Sequence, residues 1–328
     1  MKKVLLPRVP FYKAALHTHT TFSDGKLTPE ETKALYRRQG YQILCMTDHN
    51  IHISHNELTE EDFLMLSGFE LNTRIPPDWS VFSGKTYHLL FIAKKPDNLW
   101  QPIPRWGETA DHPGWAEQAE DLDRSYSIDS VNALIARGNE KGFLCCYNHP
   151  VWSLQDYSDW APLEGLWAME QCNCGVNFAY DRDNAVIYHD MCRLGKRIMP
   201  LGTDDSHSAQ GIGGAYTMIG TDSLTYEKVI EAMEKGDLYM STGPRIHSLF
   251  LEDGILQVTC TEAARILVET GNRHRRQAVG SPTLTQASLD MTQWLEKSQN
   301  EPDTFFRVTV TAPDGSYAAT RAYFRDEL

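Results

Sequence analysis

Residues 12–50 read YKAALHTHTTFSDGKLTPEETKALYRRQGYQILCMTDHN, and this stretch indicates the fold class. An apolar run from Ala14 to His19 predicts a strand, and a second run from Tyr41 to Thr47 predicts another. The residues between them show the signals of a helix, with a capping box that begins at Thr28 and an expected end at Gly40. Strand, helix and strand in this order form a βαβ unit, so the sequence predicts a parallel sheet.

The same alternation of apolar runs and amphipathic stretches continues to Gly236. Further strands are predicted at 64–71, 86–93, 143–148, 165–171 and 197–203, with helices that begin at Ser127, near Arg182 and at Thr225. This rhythm predicts an α/β fold of the β/α barrel type, which builds its active site at the carboxyl ends of the strands. We assign residues 1–240 to this barrel, and we interpret 96–126, rich in Pro, Trp and acidic residues, as an insertion or lid.

The pattern changes after residue 240. The dipeptides Asp253-Gly254 and Asp314-Gly315 lie between alternating apolar residues, which is a hairpin signal. Residues 306–311 and 319–324 are predicted to be paired strands. Residues 241–328 are therefore expected to form a small antiparallel β appendage.

Potential metal ligands follow or end most of the predicted strands, and none of them is a cysteine. They are His17-Thr18-His19, Ser23-Asp24-Gly25, Thr47-Asp48-His49, Glu70, His88, Asn148-His149-Pro150 and Asp205-Ser206-His207. A single histidine of this kind is more often a hydrogen-bonded structural residue. The ordered set instead indicates one hydrolytic metal centre, because imidazole suits Zn, Fe and Mn while carboxylate suits Mn and Mg.

This ordered set resembles the polymerase and histidinol phosphatase (PHP) superfamily of metal-dependent phosphoesterases, over about residues 12–250. The resemblance implies a distorted (βα)7 TIM-like barrel with two or three divalent ions, Zn, Mn or Fe, at its carboxyl-end face. The sequence Thr47-Asp48-His49-Asn50 and the β tail are also similar to the carbaryl-hydrolase-like branch of that superfamily.

The resemblance further implies three metal positions with nine ligands. The first is held by His17, His19 and Asp205; Glu70 bridges it to a second, completed by His88 and His149; Asp24, His49 and His207 hold the third. Glu70, Asp24 and His207 are also expected to act in catalysis, with His207 or a water as the acid that protonates the leaving group.

Several neighbours of these ligands are expected to support them. Asp48 is adjacent to His49, and two adjacent residues of a regular strand cannot both point inward, so Asp48 is predicted to orient a ligand imidazole. Glu170 is predicted to give similar support from the end of its strand. Asp204 is a weaker ligand candidate than Asp205, although a shift of one residue would reverse that choice.

A last group of residues is assigned to substrate contacts. His52 is a candidate for contact with the substrate, although an exposed loop histidine is the more common case, and Arg74, Lys85 and Arg245 are candidates for holding a substrate anion. Surface charge is the more common fate of such residues. Trp100, Trp106 and Trp115 are expected either to line a lid or to pack the insertion onto the barrel.

The bulk composition limits the class of partner. The chain of 328 residues has a net charge of −13 and no run of basic residues, which argues against a nucleic-acid-binding surface. No apolar run approaches the length of a membrane span, and no signal peptide is evident. The seven cysteines show no disulfide spacing and are predicted to be reduced, which favours the cytoplasm.

The function expected from the sequence is hydrolysis of a small phosphate ester by a hydroxide that bridges the metals. Two alternatives remain open. One is a metal-dependent amide or carbamate ester hydrolase, because such a hydroxide also attacks carbonyl groups. The other is a non-catalytic metal-binding module. The substrate and the oligomeric state do not follow from the sequence.

Overall fold

One large sheet of sixteen strands, with few helices, organises the described part of the chain. The computed structural model describes residues 2–75, 84–104, 118–175, 184–298, 300–301 and 304–328. The strands are β1 (Lys2–Leu6), β2 (Phe11–Ala15), β3 (Ile43–Met46), β4 (Leu64–Asn72), β5 (His88–Ala93), β6 (Trp100–Gln101), β7 (Gln118–Ala119), β8 (Phe143–Tyr147), β9 (Ala168–Asn173), β10 (Met199–Thr203), β11 (Tyr216–Gly220), β12 (Leu238–Ser241), β13 (Ile246–Glu252), β14 (Ile255–Thr270), β15 (Arg275–Asp290), β16 (Phe305–Thr311), β17 (Tyr317–Thr320) and β18 (Tyr323–Phe324). The helices are α1 (Pro29–Arg38), α2 (Ile128–Glu140), α3 (Tyr157–Trp160), α4 (Ala185–Arg193), α5 (Tyr226–Lys235) and α6 (Thr292–Lys297), with 3-10 turns at Asn56–Leu58, Ala209–Gly211 and Arg325–Glu327.

The predicted helix signals are confirmed where they can be compared. The Thr28 side chain accepts a hydrogen bond from the Glu31 N–H and the Glu31 side chain returns one, which completes the capping box of α1. The side chains of Ser127 and Thr225 cap α2 and α5 by accepting from the N–H groups of Ser130 and Lys228. Gly236 ends α5 with φ of 75°, a left-handed conformation that glycine adopts without steric cost.

The sheet is mixed, and this corrects the expectation of a regular strand–helix alternation. Parallel ladders join β2 to β3, β3 to β4, β8 to β9 and β9 to β10. Strand β5, however, runs antiparallel to both β4 and β8. No α-helix separates β3 from β4; a 3-10 turn at Asn56–Leu58 lies there instead. Strand β5 therefore enters the sheet from the opposite end.

The hydrogen-bonded ladder does not close into a ring, because its path ends at β10. Two connections nevertheless join β10, at one end of the path, to β2 and β11 in its middle. An isolated parallel bridge pairs Thr18, beyond the end of β2, with Ser206, beyond the end of β10. Lower in the sheet, the Thr217 hydroxyl on β11 accepts from the Gly202 N–H at 3.2 Å and donates to the Gly202 carbonyl at 3.0 Å. A threonine side chain thus takes the place of a ladder between β10 and β11.

The residues after 240 form a larger structure than the predicted small appendage. The turn at Asp253-Gly254 connects β13 to β14 as the hairpin signal predicts, and β14 and β15 are each sixteen residues long. Strand β16 pairs with β17 and β18, as predicted. The amino-terminal strand β1 also pairs here, with β13, which the sequence analysis did not predict.

The apolar core contains the cysteines as well as the aliphatic residues. All seven cysteines are unpaired, as predicted, and six of them are buried. Among the residues described, none of the helices has both the length and the apolar character needed to cross a bilayer.

The Thr217 contact gives a test of the connection between β10 and β11. Thr217→Val keeps the shape of the side chain but leaves the buried N–H and carbonyl of Gly202 without this partner. We expect the free energy of unfolding, measured by urea titration, to fall by about 2 kcal/mol. Thr217→Ser retains the hydroxyl and should cost less than about 1 kcal/mol. Equal stability of the valine and serine variants would show that the hydroxyl does not join the two strands.

Candidate metal centre

Along several strands, every second side chain is apolar and faces the core, and a polar side chain on the same face follows at the end of the strand. On β4, Leu64 and Leu66 belong to one buried apolar cluster, and Glu70 lies on the same face because side chains repeat every two residues. Beyond β3, the row that contains Cys45 reaches His49, which forms an isolated parallel bridge with Glu70. Other rows end at His88, Asn148, Glu170 and Asp205.

This arrangement brings together all nine residues predicted as metal ligands. Their donor atoms form four overlapping groups, and within each group the atoms lie within 4.8 Å of one another. The groups are His17–His19–Asp205, His17–Glu70–His149, His49–Glu70–His88 and His19–Asp24–His49–His207. The group His17–His19–Asp205 is the predicted first metal position, and the group with Asp24 and His207 contains the predicted third position. Glu70 lies in one group with His149 and in another with His88. The prediction instead placed both of these histidines at one position with Glu70.

Glu70 lies at the centre of the cluster and is fully buried. Its Oε1 atom accepts a hydrogen bond from the Asn148 side-chain amide at 2.7 Å. The same oxygen lies 3.1 Å from His88 Nδ1 and 3.2 Å from His149 Nε2. One carboxylate oxygen therefore gathers residues from β5 and from the segment that follows β8.

The second oxygen of Glu70 faces three other histidines. Its Oε2 atom lies 3.1 Å from His49 Nδ1, 3.3 Å from His17 Nε2 and 3.4 Å from His19 Nε2. None of these contacts has the geometry of a hydrogen bond, and Oε2 has no other hydrogen-bond partner among the described residues. A buried carboxylate oxygen in this position requires an explanation such as a bound ion.

Asp205 is the second carboxylate of the cluster. Its Oδ1 lies 3.3 Å from His17 Nε2 and 3.2 Å from His19 Nε2, and its Oδ2 accepts from the Asn173 side chain at 3.1 Å. Asp205 has φ of 47°, in the left-handed region that non-glycine residues rarely adopt. The backbone there turns the Asp205 carboxylate toward the histidines.

Asp24 and His207 occupy the open side of the cluster. Asp24 Oδ1 is 3.3 Å from His207 Nε2, and Asp24 Oδ2 is 3.8 Å from His49 Nε2. Gly25 permits this turn, because a Cβ there would lie 2.4 Å from the His19 carbonyl oxygen. The side chains of Asp24 and His207 are 56% and 38% exposed, so a ligand from solvent meets them first.

Glu170 supports His17, as the sequence analysis predicts for it. Its Oε1 lies 2.6 Å from His17 Nδ1 and also accepts from the Thr203 hydroxyl at 2.7 Å. Its Oε2 accepts from the His149 backbone N–H and the Asn173 side chain. A carboxylate on the far nitrogen fixes the orientation of an imidazole and increases its basicity as a ligand.

The role predicted for Asp48 is corrected by its contacts. Its carboxylate accepts from the Thr20 N–H and the Thr20 hydroxyl, both at 2.8 Å, and from the Ser23 hydroxyl at 2.6 Å. Among the described residues, no hydrogen bond or ion pair joins the Asp48 carboxylate to an imidazole. Asp48 points away from the ligands, as its position next to His49 predicts, but it holds the loop that leads to Asp24.

The choice between Asp204 and Asp205 is also decided by contacts. The Asp204 carboxylate accepts hydrogen bonds from the Tyr41 hydroxyl and from the backbone N–H groups of residues 213, 214 and 215, at 2.9 to 3.1 Å. It therefore fixes the loop that follows the cluster, whereas Asp205 faces the histidines. Burial raises the pKa of Asp204, although these hydrogen bonds oppose the shift.

His52 does not contact the metal-ligand cluster. This corrects the expectation that it contacts the substrate or supports a metal ligand. Its Nδ1 lies 2.7 Å from the Trp100 carbonyl and its Nε2 lies 2.8 Å from the Ser67 hydroxyl. Its ring packs near Phe69 and Phe143. Burial lowers the pKa of His52 to about 4, so it is a neutral structural residue that connects the strand at Trp100 to β4.

The basic residues predicted to hold an anion lie in different places. Arg245 forms backbone hydrogen bonds with Thr261 at the start of β13 and makes no contact with the cluster. Lys85 pairs with Asp156 and Asp159 at 2.7 and 2.6 Å. Arg74 is exposed, and its backbone N–H donates to the Arg124 carbonyl.

Arg124 is a candidate that sequence reasoning missed. Its Nη1 donates to the Asn50 side chain at 3.0 Å and to the Asn72 carbonyl at 3.3 Å. Asn50 directly follows His49, and Asn72 is paired in register with His88. No acidic side chain of the described residues forms an ion pair with Arg124. Burial and the neighbouring Arg74 lower the pKa of its guanidinium.

Trp152 is a second residue that was missed. Its ring lies 5.3 Å from that of His88 and 5.1 Å from that of His149, and it is 42% exposed. Its position two residues after His149-Pro150 is the signal that could have identified it. Trp100 is buried, with its indole N–H bonded to Glu120. Trp106, Trp115 and residues 105–117 of the predicted insertion lie outside the described residues.

The charges within the cluster oppose the effect of burial. Burial disfavours a charged carboxylate, yet the imidazoles of His17, His88 and His49 hold the pKa of Glu70 well below its usual range. Burial also disfavours a protonated His19, but its contacts with Asp205 and Glu70 raise the pKa of this imidazole to about 9. Burial instead lowers the pKa of His88, and that of His49 to about 4, so the histidines of the cluster do not titrate alike.

The donor set fits divalent metal ions. Six imidazoles and three carboxylates converge, without a thiolate, which suits Zn, Fe or Mn. The Nδ1 atoms of His19 and His49 are buried and, like Oε2 of Glu70, have no hydrogen-bond partner among the described residues. Atoms that approach one another closely without a hydrogen bond are arranged as ligands would be around a shared cation.

Two adjacent aspartates test this interpretation. Asp205→Asn should lower the metal content measured by elemental analysis, because Asp205 contributes a ligand oxygen. Asp204→Asn should retain the metal but reduce the free energy of unfolding by about 1–3 kcal/mol, since it weakens a buried network. The interpretation fails if the metal content is lost from Asp204→Asn and retained by Asp205→Asn.

Comparisons with known proteins give structural neighbours only. No protein-family model matches this chain, and no curated protein matches it. A two-domain protein from Bacteroides vulgatus, which contains a predicted PHP-like metal-dependent phosphoesterase, is 14% identical and has a TM-score of 0.47, with 98% of each chain covered. An amidohydrolase from Chromobacterium violaceum, solved with bound sulfate and no metal, is 13% identical with a TM-score of 0.43, over 69% of this chain and 96% of that one.

A third neighbour is a lesion-specific endonuclease from Pyrococcus furiosus. It is 12% identical with a TM-score of 0.41, and the match covers 69% of this chain and 56% of the endonuclease. The names of these structural neighbours are thus those of a protein with a predicted PHP-like metal-dependent phosphoesterase, an amidohydrolase and an endonuclease.

Proposed function

We propose that the protein is a metal-dependent phosphoesterase that hydrolyses a small phosphate ester. The observation that carries this proposal is Oε2 of Glu70, which lies within 3.4 Å of three imidazole nitrogens and is hydrogen-bonded to none of them. A divalent cation among these atoms would supply the missing partner. We assign two or three ions of Zn, Mn or Fe to the cluster.

The motif pattern assigns the ligands to three cation positions, whereas proximity alone groups Glu70 with His88 and with His149 separately. The first would be held by His17, His19 and Asp205, the second by Glu70 with His88 and His149, and the third by Asp24, His49 and His207. Such cations lower the pKa of a coordinated water toward neutrality and neutralise charge on a phosphoryl group. Glu70 would serve the first two positions, which accounts for its central place.

The basic residues near the cluster favour an anionic substrate over a neutral carbonyl compound. Arg124 is anchored beside His49 and His88 through Asn50 and Asn72, as described above. Arg74 lies next to it. We assign both to the substrate phosphate, because a guanidinium matches the oxygens of a phosphate with paired hydrogen bonds.

The open side of the cluster would accept the leaving group. The His207 Nδ1 lies 3.1 Å from the Asp205 carbonyl oxygen, so a proton on Nδ1 is donated there and Nε2 faces Asp24. When the third position holds no cation, we propose that His207 gives a proton from Nε2 to the leaving oxygen. A cation on Nε2 would take the place of that proton, and a water on the cation would then be the acid. Asp24 would then hold that imidazole in place.

We propose that β2, β3, β4, β5, β8, β9 and β10 form a distorted seven-stranded barrel. One buried apolar cluster contains residues from all seven of these strands, and the Thr18–Ser206 bridge joins the two ends of the row. Residues 1–240 would contain this barrel, and 241–328 the β-rich region. The unpaired cysteines support a reducing location such as the cytoplasm.

An activity assay tests the reaction. After chelation, Mn or Zn should restore hydrolysis of a phosphate monoester, and Glu70→Gln should lower kcat far more than it raises KM. A panel of phosphodiesters, carboxyl esters and carbamates provides the comparison. Turnover of carbamates or carboxyl esters with none of any phosphate ester would favour an amide or carbamate ester hydrolase. Bound metal without turnover of any substrate would favour a metal-binding module.

Two arginines test how the substrate is held. Arg124→Ala should raise KM for the phosphate ester by about tenfold, because a charge-assisted hydrogen bond to the phosphate is lost. Arg245→Ala removes the same charge from a residue that makes no contact with the cluster, and it should leave KM unchanged. If both substitutions raise KM equally, Arg124 acts through the overall charge of the protein and not through direct contact with the substrate.

A further inference from the structure

A second polar cleft lies outside the metal cluster, between α4 and the strands β14 and β16. Its volume is about 470 Å³, within the range of pockets that bind small molecules. Residues that line it include Gln171, His189, Arg265, Glu269, Arg307 and Thr309. We refer to the space lined by these six residues as the arginine cleft.

The strand register places this lining on one face of the sheet. Glu269 of β14 is directly opposite Arg307 of β16, and Arg265 is directly opposite Thr311. Because side chains alternate along a strand, these residues share a face, while Val308 and Val310 belong to the apolar core on the other face. The cleft is therefore a polar surface enclosed between a helix and a sheet.

The cleft and the metal cluster lie on opposite sides of β9. Gln171 lines the cleft, whereas the adjacent Glu170 contacts His17 in the cluster. Successive side chains of a strand point to opposite faces. A ligand in the cleft would therefore be separated from the cations by the strand itself.

Arg307 is the residue that most needs a ligand. It is only 3% exposed, its Nη2 donates to the Gln171 side chain at 2.5 Å, and its guanidinium lies 4.8 Å from the centre of the Tyr188 ring. Among the described residues, no carboxylate oxygen lies within 4.0 Å of the Arg307 guanidinium, the limit for an ion pair. This includes Glu269, which is directly opposite Arg307 on β14. A buried charge is normally paired, because its desolvation is costly.

Further positive charge surrounds this buried cation. An adjoining cleft of about 640 Å³ shares His189 and is also lined by Arg193 and Arg273. Arg193 is paired with Asp190 at 3.3 Å, while Arg265 and Arg273 have no ion-pair partner among the described residues. In a chain with a net charge of −13, this concentration of arginines attracts anions locally.

We propose that the arginine cleft is a binding site for a small organic anion that carries a phosphate or carboxylate group. The anionic group pairs with Arg307 at the buried end, and Arg265 adds charge at the exposed rim. The Thr309 hydroxyl and the Gln171 amide offer hydrogen bonds to the uncharged part of the ligand. This site is additional to the proposed esterase site and does not depend on it.

Calorimetric titration of the chain of 328 residues tests the proposal. Asp205→Asn is used as the background, after chelation and removal of the chelator, so that phosphate binding by the metal cluster is suppressed. The probes are AMP, pyrophosphate and citrate, which separate phosphate from carboxylate recognition and large anions from compact ones. At least one probe should bind with a stoichiometry of one and a Kd below about 1 mM.

Substitutions in the cleft identify where the probe binds. Arg307→Gln should weaken binding by about tenfold or more, and Arg265→Gln by about threefold, while Arg38→Gln on the distant helix α1 should have no effect. Arg307→Gln could also disturb folding, whereas Arg265 is exposed and its replacement leaves the buried contacts intact. The proposal is overturned if no probe binds, or if Arg265→Gln and Arg307→Gln both retain full affinity.

Discussion

The whole centre depends on a single carboxylate held in a fully buried position. Glu70 has imidazoles of five histidines within 3.4 Å of its two oxygens, and these histidines come from segments far apart in the chain. A buried negative charge is stable only when positive charge surrounds it. The strands must therefore converge at Glu70, and the fold satisfies this need by ending its inward rows of apolar residues with histidines and acids.

A second set of contacts positions these ligands without touching the centre. Glu170 fixes His17, Asp48 holds the loop before Asp24, and Asp204 holds the loop after His207. Each of these acids accepts several hydrogen bonds. The ligand side chains are therefore held near one another without depending on hydrogen bonds among themselves, and this arrangement suits cations.

Much of the site was predictable, because the ordered His, Asp and Glu motifs resemble those of a known superfamily. The alternation of side chains along a strand added the separation of Asp48 from His49. Periodicity gives no information about contacts made by irregular segments, so the anchoring of Arg124 at Asn50 and the burial of His52 against Trp100 were not foreseen. The antiparallel direction of β5 depends on a connection that no local pattern encodes, and the pairing of β1 with β13 joins distant parts of the chain.

Strand β12 pairs with β11 on one side and with β17 on the other, while β1, at the start of the chain, lies against β13. The two ends of the polypeptide are thus held in the same sheet that leads to the ligand-bearing strands. Because the strands share one sheet, their local unfolding is coupled. Hydrogen exchange in the carboxy-terminal strands should therefore slow when metal ions bind the histidine cluster, although these strands contribute no ligand. Strands that are neighbours in the sheet would therefore unfold together, even where they are far apart in the sequence.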